Sequence, residues 1–225
     1  MDRRLLLFAK RPRAGRVKTR MTPPLSREQA VELYSAFLLD QLEFLAALSG
    51  EFGIELWTDG PWEPAAPFDR VVEGMPRFDQ GEGDLGRRLH RAFARAFDGG
   101  AEQVVVIGAD SPTLPPRHVH RAFDQLGGHD AVIAPADDGG YVLLGSRQLY
   151  PELFGGISWG GAAVFAETRS AARSASISLA AIEGWHDVDD VEGLRRLREE
   201  LADEAATRRA PATRVVLDSL VGTVL

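Results

Sequence analysis

The chain has 225 residues and no cysteine, which excludes disulfides, thiolate zinc sites and a cysteine nucleophile. Its length allows one large domain or two small ones, and a domain of this size buries roughly 70% of its unfolded surface without needing staples. Basic residues number 26 against 33 acidic, for a formal net charge of −7, which argues against a general nucleic-acid binder.

In chain order, Asp2-Arg3-Arg4 precede Leu5-Leu6-Leu7-Phe8-Ala9, a fully apolar run that stops at Lys10. The run is too short for a signal-peptide core or for a membrane span of about 20 residues, so a cytoplasmic protein without a membrane span is expected. It reads instead as a buried strand of a parallel sheet. Ser26 to Leu48 carries apolar residues at helical spacing, with Ser26 and Gln29 forming a capping box. Gly53 to Trp57 reads as a second strand, the Pro-rich stretch 61–67 as loop, and Arg70 to Glu73 as a short third strand. A helix follows Gln80-Gly81-Glu82-Gly83-Asp84-Leu85-Gly86, with Leu85, Leu89, Ala92, Phe93 and Ala96 on one face and Gly99-Gly100 at its end. Val104 to Ile107 is the clearest strand. After it come a helix from Pro116 to Leu126, a strand from Ala131 to Ala134, a turn at Asp137–Gly140 and a strand from Tyr141 to Leu144. Two short helices (149–154 and 161–172), a late strand (177–182) and a last helix (191–204) complete the pattern. Val215-Val216-Leu217 is expected to be a strand or a docking tail. Strands alternating with helices define an α/β fold with a largely parallel sheet, and no linker divides the chain, so one domain over 1–225 is expected.

Charge is unevenly placed. Lys10, Arg11, Arg13, Arg16, Lys18 and Arg20 lie in one loop without an acid, and the rest of the chain carries 20 basic against 33 acidic residues. The only two lysines of the chain are in this loop. An open α/β sheet binds ligands beyond the carboxyl ends of its strands. That rule brings together the cationic loop after the first strand, Asp110 after Val104–Ile107, and Asp187-Val188-Asp189-Asp190 after the late strand. Cations facing carboxylates suit a polyphosphate with a divalent metal between them. Mg²⁺ takes one or two protein carboxylates and completes its shell with phosphate oxygens and water. Each feature also has a plainer reading: a solvated basic loop, a turn residue at Asp110, an N-cap at Asp189 or Asp190. Asp137-Asp138-Gly139-Gly140 is first of all a turn sequence. The loop is not a Walker A sequence, the chain has no Gly-x-Ser-x-Gly elbow, and the first strand is not followed by Gly-x-Gly-x-x-Gly. The histidines 118, 120, 129 and 186 lack ligand spacing, and only His186, beside Asp187, invites attention.

Taken in order, Phe8-Ala9-Lys10-x-Pro12, Gly15-x-Val17-Lys18-Thr19-Arg20, Gln80-Gly-x-Gly-Asp-Leu-Gly86, Gly108-x-Asp110-Ser-Pro112, Asp138-Gly-Gly-Tyr141 and Asp187-Val-Asp189 resemble the DUF2064 family. The likeness runs from about residue 4 to 200 and leaves 205–225 as an uncovered tail. It implies a glycosyltransferase-A-like fold, with a mostly parallel mixed sheet, related to the phosphoenolpyruvate/phospholactate guanylyltransferases and the molybdenum-cofactor nucleotidyltransferases. It further implies that Lys18 and Arg20 hold a triphosphate, and that Asp110, Asp187 and Asp189 bind Mg²⁺ or Mn²⁺, with Lys18, Arg20 and Asp110 catalytic. Lys10, Gly15, Lys18, Thr19, Arg20, Gln80, Gly81, Gly83 and Asp84 would line the nucleotide. Asp138, Gly139, Gly140, Tyr141 and Trp159 would face the acceptor. Two departures stand out: Trp159-Gly160-Gly161 where relatives carry Trp-Ser-Thr, and Asp190 where they carry Thr.

The resulting expectation is a metal-dependent nucleotidyltransferase acting on a small phosphorylated or acidic acceptor. The alternatives are a glycosyltransferase using a nucleoside-diphosphate sugar and a non-catalytic nucleotide-binding module.

Overall fold

The computed structural model describes residues 1–220. A seven-stranded sheet forms its centre: β1 (Arg3–Ala9), β2 (Gly53–Thr58), β3 (Arg77–Asp79), β4 (Gln103–Gly108), β5 (Ala131–Pro135), β6 (Tyr141–Ser146) and β7 (Leu179–Ala181). Their spatial order is β3-β2-β1-β4-β6-β5-β7. β6 pairs antiparallel with both β4 and β5, and the other pairings are parallel, so β6 alone runs against the rest. This is the mixed, mostly parallel sheet of the glycosyltransferase-A-like fold.

Successive residues of a strand point to opposite faces, and β1 is apolar and buried from Leu5 to Ala9 because both faces are covered there. Leu5 and Leu7 enter one core layer with Leu38, Leu42 and Leu45, whereas Leu6 and Phe8 enter the other with Trp57, Phe93 and Phe154. The first layer lies beneath α1 (Arg27–Leu48) and α3 (Pro116–Gln125), the second beneath α2 (Leu85–Asp98) and α4 (Val164–Ser174). The Ser26–Gln29 capping box opens α1 as expected. α1 is buried on two sides, since Leu33 and Phe37 pack into a third cluster with Val188, Leu194, Leu197, Leu201 and Leu217.

That third cluster belongs to α5 (Val191–Glu200), α6 (Glu204–Arg209) and α7 (Pro211–Ser219). The single helix expected over 191–204 therefore stops at Glu200, and Asp203 starts a new one by accepting from the amides of Ala205 and Ala206. Val215-Val216-Leu217 is not a strand but part of α7, which docks on α1 as a helix. There Leu217 is buried and Val215 exposed, the alternation a helix imposes. α7 has no cap of its own. Asp40, from the middle of α1, supplies one, accepting from the amides of Ala212 (2.9 Å) and Thr213 (2.8 Å). Residues 221–225 of the expected tail lie outside the described residues.

Two further expectations change. Arg70 to Glu73 is a run of turns, with the Val71 and Val72 amides both donating to Phe68 O, and it plugs the first core layer with Val72. The third strand is Arg77–Asp79 at the sheet edge, too short and too polar to announce itself. Leu85 is 44% exposed rather than on the buried face of α2, because it occupies the first helical position and overhangs the cleft described next.

Candidate functional site: a carboxylate–lysine cluster at the sheet's carboxyl edge

A cleft of about 600 Å³ opens where β1, β2 and β4 end. It is bordered by Lys10, Tyr34, Gly83, Leu85, Arg88, Asp110, Ser111, Tyr141, Asp187 and Asp189, among others. β6 begins here, since it runs the other way, so the Asp137–Gly140 hairpin turn reaches the same edge as the ends of its neighbours.

The loop after β1 is anchored before it reaches the cleft. Tyr34 pins its start: its hydroxyl accepts from the Lys10 amide (2.8 Å) and donates to Lys10 O (3.1 Å). Arg11 is tied to the exit of β2 through Asp59 Oδ1, Asp59 O and Pro61 O. The chain then turns at the exposed Gly15 (φ 73°), which is a turn glycine away from the cleft wall, and reaches Lys18. Lys18 holds left-handed backbone angles (φ 46°, ψ 39°), uncommon for a residue with a side chain, and starts a 3₁₀ turn over Thr19–Met21.

That turn drives the Lys18 side chain inward, leaving it 2% exposed. Its ammonium donates to Asp110 Oδ1, to Val188 O (2.8 Å) and to Asp189 Oδ1 (3.2 Å), satisfying its three donors. The rings of Phe37 and Tyr34 flank it at 5.2 and 5.8 Å. The Val188 amide donates to Asp110 O (3.0 Å), so the exit of β4 and the 187–190 segment are locked together by backbone as well. Three separate chain segments thus meet at one cation.

Asp187 adds a third carboxylate. Burial, followed by the charges of Asp138, Asp189 and Asp110, pushes its carboxyl up to about 6. Asp190 does not join them, because it caps α5 by accepting from the Gly193 amide (2.8 Å). Among the described residues, no three acidic or histidine side chains are spaced to hold a metal unaided. The donor set nevertheless suits Mg²⁺ or Mn²⁺. Oxygens of Asp110, Asp189 and Val188 already converge on one cation, and a hard dication completes its shell with ligand oxygens and water.

The remaining residues named from the sequence divide into those at the cleft and those holding its walls. Lys10 borders the cleft, and Arg20 is 69% exposed with its guanidinium 3.9 Å from Asp189; Thr19 is exposed beside it. The Gln80 amide group donates to Ala9 O (3.2 Å) and Trp57 O (3.0 Å), fastening the ends of β1 and β2. Gly81 and Gly83 make the left-handed turn that follows, and Asp84 caps α2 by accepting from the Arg87 amide. Asp138 accepts from the Gly140 amide (2.7 Å), closing the hairpin turn, while Asp137 pairs with Arg196 at 3.2 Å. Gly139 admits the neighbouring loop: a Cβ there would overlap Ala162 O. Tyr141 forms a half-buried wall whose hydroxyl has no hydrogen-bond partner among the described residues, and burial raises its pKa. Trp159 packs edge-on against Tyr141 and donates to Phe154 O, and so it braces this wall from behind.

Sequence reasoning overlooked Tyr34 and Glu200. Tyr34 counted only as an apolar helix position. Glu200 lies within the last helix expected from the sequence, among several charged residues, yet it accepts from Thr113 Oγ1 (3.0 Å) and lies 2.9 Å from His186 and 3.5 Å from Arg209. His186 thus lies against Glu200 rather than against its neighbour Asp187, although its buried Nε2 makes no hydrogen bond among the described residues. No local signal marks a hub whose partners lie 87 and 9 residues away.

The sheet order, the cleft at its carboxyl edge and the acid cluster there define a chain of the nucleotide-diphospho-sugar transferase and nucleotidyltransferase fold class. More particularly, it belongs to the family described as "Uncharacterized protein conserved in bacteria (DUF2064)", whose model matches residues 44–161. That span includes Gln80–Gly86, Asp110 and Asp138–Tyr141 but neither the cationic loop nor Asp187 and Asp189. A likeness over the whole chain comes from the crystal structure of a candidate nucleotide-diphospho-sugar transferase of Desulfovibrio desulfuricans G20. It is 32% identical, with TM-score 0.88, and the match covers 100% of this chain and 97% of that one. In fold the chain is also similar to a nucleotidyl transferase from Methanothermobacter thermautotroptrophicus (15% identity, TM-score 0.57, 88% and 97% covered). A further fold neighbour is CMP:2-keto-3-deoxy-manno-octonic acid synthetase complexed with CTP (12%, TM-score 0.52, 90% and 99% covered). No curated protein matches the chain. No helix among the described residues is long and apolar enough to cross a membrane.

Proposed function

We propose that the protein is a metal-dependent nucleotidyltransferase that moves a nucleotidyl group from a nucleoside triphosphate to a small phosphorylated or acidic acceptor. The observation that carries this reading is the convergence of Asp110, Asp189 and Val188 O on a single buried cation, beside Asp187 and below a loop rich in Lys and Arg. In the reaction an acceptor oxygen attacks the α-phosphorus, the bond from that phosphorus to the bridging oxygen breaks, and pyrophosphate leaves. The chain's task is to align the two reactants and to spread the developing charge. Lys10 and Arg20 bind phosphate oxygens, Lys18 giving up the phosphate role expected of it because its three donors are taken by Asp110, Val188 O and Asp189, and Arg11 fixes the loop that carries them. The Gln80–Asp84 loop borders the nucleotide, while the Asp138–Tyr141 hairpin faces the acceptor. Asp110, Asp187 and Asp189 would hold Mg²⁺ or Mn²⁺, which when bound neutralises the phosphates and polarises them toward attack.

A glycosyl transfer from a nucleoside-diphosphate sugar is the second reading. Two observations favour it: the 32% identity to a candidate transferase of that kind, and the commitment of Arg11 to Asp59, which removes one cation from the phosphates. The deciding experiment supplies Mg²⁺ with each nucleoside triphosphate and a panel of phosphorylated hydroxy acids, and follows pyrophosphate release. Release supports nucleotidyl transfer. Thermal stabilisation by nucleoside-diphosphate sugars and none by triphosphates would shift the assignment to glycosyl transfer, and no response to either class would leave a binding module without these ligands. If Asp110→Asn and Asp187→Asn leave metal-dependent nucleotide binding unchanged, the metal assignment is wrong.

A further inference from the structure

A second, larger cleft of about 1110 Å³ lies on the other flank of α2, between that helix, β3 and the 3₁₀ turn Pro151–Leu153. Its lining includes Arg87, His90, Arg91 and Arg95 of α2, with Arg4 at its far end and Phe78 and Phe154 among its walls. The arginines stand at successive four-residue steps, so they share one helix face about 6 Å apart along the axis. Like charges at this spacing repel and weaken a helix unless something compensates them.

Little inside the protein does so. None of Arg87, Arg88, Arg91 and Arg95 takes part in any of the ion pairs among the described residues. Arg91 donates to Gln80 O and to Glu82 O (3.1 Å), and Arg95 stacks over Phe78 at 4.1 Å. Carbonyls and a ring occupy these guanidinium groups without cancelling their charge. Arg87 makes no side-chain hydrogen bond among the described residues, and His90 makes only an edge-on contact with Phe154. Of the acids that line the cleft, Glu55 is buried and accepts from the Trp57 indole (3.0 Å), and Asp98 lies at the C-terminal end of α2. Arg4, at the far end, is paired with Asp2 (2.7 Å) and Glu55 (3.8 Å), which leaves the α2 face of Arg87, Arg91 and Arg95 as a concentrated cationic wall with no ion pair among the described residues, in a chain whose net charge is −7.

We propose that this cleft is a second anion site, taking a small ligand with more than one phosphate group, bound by Arg87 and His90 and steered by Arg91 and Arg95. Planar guanidinium forks match phosphate oxygens in pairs, and cations spaced along a helix suit phosphates in tandem better than a single one. The site also touches the catalytic cleft through the chain. Arg91 holds the carbonyls of the Gln80–Asp84 loop, and the Arg87 side chain covers Gly83 closely enough that a Cβ there would meet it at 2.9 Å. A ligand here therefore tightens or loosens the loop that borders the proposed nucleotide. That consequence rests on the function proposed above; binding itself does not.

The test is calorimetric titration of inorganic pyrophosphate into the full chain with EDTA present, so that no divalent metal contributes. Arg87→Ala/His90→Ala should weaken binding at least tenfold with an unchanged melting temperature, while Lys10→Ala/Arg20→Ala, on the catalytic cleft, should retain it. The proposal is overturned if the wild type binds no pyrophosphate, if the α2 variant binds as the wild type does, or if only the Lys10/Arg20 variant loses binding. Hydrogen exchange at residues 81–84 reads the connection: protection should change on adding pyrophosphate in the wild type and not in the Arg87/His90 variant. A failed nucleotidyl-transfer assay leaves all of these outcomes intact.

Discussion

Lys18 and Asp189, 171 residues apart in sequence, meet at 3.2 Å, and the same ammonium also binds Asp110 and Val188 O. A dication drawn to these oxygens competes with that ammonium. Lys18→Met removes the competitor and should bind Mn²⁺ about tenfold more tightly without nucleotide, since a neighbouring cation shifts a carboxylate's balance by at least that much. The same variant should melt at lower temperature in chelator and recover when Mn²⁺ is added. Electron paramagnetic resonance counts free Mn²⁺ directly; unchanged or weaker metal binding would show that Lys18 and the metal do not share these oxygens.

Glu200 joins the segment after β4, the His186 turn and α6 through Thr113, His186 and Arg209. Glu200→Gln keeps the shape and removes the charge. We expect a loss of about 1–2 kcal/mol, in the range for a charge-assisted hydrogen bond in a partly exposed site. Because His186 adjoins Asp187, metal affinity should fall as well, whereas pyrophosphate binding on the other flank of α2 should not change. Urea unfolding and metal titration of one preparation check both.

These two clusters show where sequence reading succeeds and where it stops. β1, α1 and β4 were legible because an apolar run, a capping box and a buried strand are local patterns. The meeting of Asp110 with Asp187–Asp189 was legible because parallel strands deliver their exits to one edge. Arg70–Glu73 misled, since two adjacent valines favour a strand locally yet pack here as turns. Gln80 and Asp84 line the cleft as expected, yet their side chains also fasten its walls, and Trp159 braces Tyr141 from behind. A motif gives position along the chain and not the direction in which a side chain faces.

Gly139 holds φ +88° with Ala162 O against the place of a Cβ, and its own carbonyl accepts from the Phe165 amide (2.9 Å). Gly139→Ala should cost about 2–3 kcal/mol from backbone strain and displacement of the 160–163 loop. Nucleotide binding should survive while acceptor turnover falls at least tenfold. Denaturant midpoints and separate measurements of nucleotide affinity and turnover distinguish this from general unfolding.

Asp40 supplies a pH dependence of stability. Burial raises its carboxyl to about 6, against hydrogen bonds from Thr213 and Ala212 that pull it down. A carboxyl with a folded pKa above its unfolded value favours folding most when protonated; that contribution is complete below about pH 4 and lost as pH rises through 6. Between pH 4.5 and 7 it falls by about 2 kcal/mol. Asp40→Asn should lack this slope, so its stability relative to the wild type should improve by that amount over the interval. Urea unfolding of both proteins at the two pH values measures it.

The single reversed strand has an evolutionary reach beyond this chain. Because β6 enters from the carboxyl edge, the turn before it is a detachable tip: its two ends are already joined by strand pairing, so residues can be inserted or exchanged there without re-threading any crossover. The half of the cleft proposed to take the nucleotide has less freedom, since the loops after β1 and β3 lead into α1 and α2, which pack on the core. Variation among relatives in the proposed acceptor should therefore be written in the 137–140 tip and in the 158–163 loop resting on it, which here carries Gly160-Gly161.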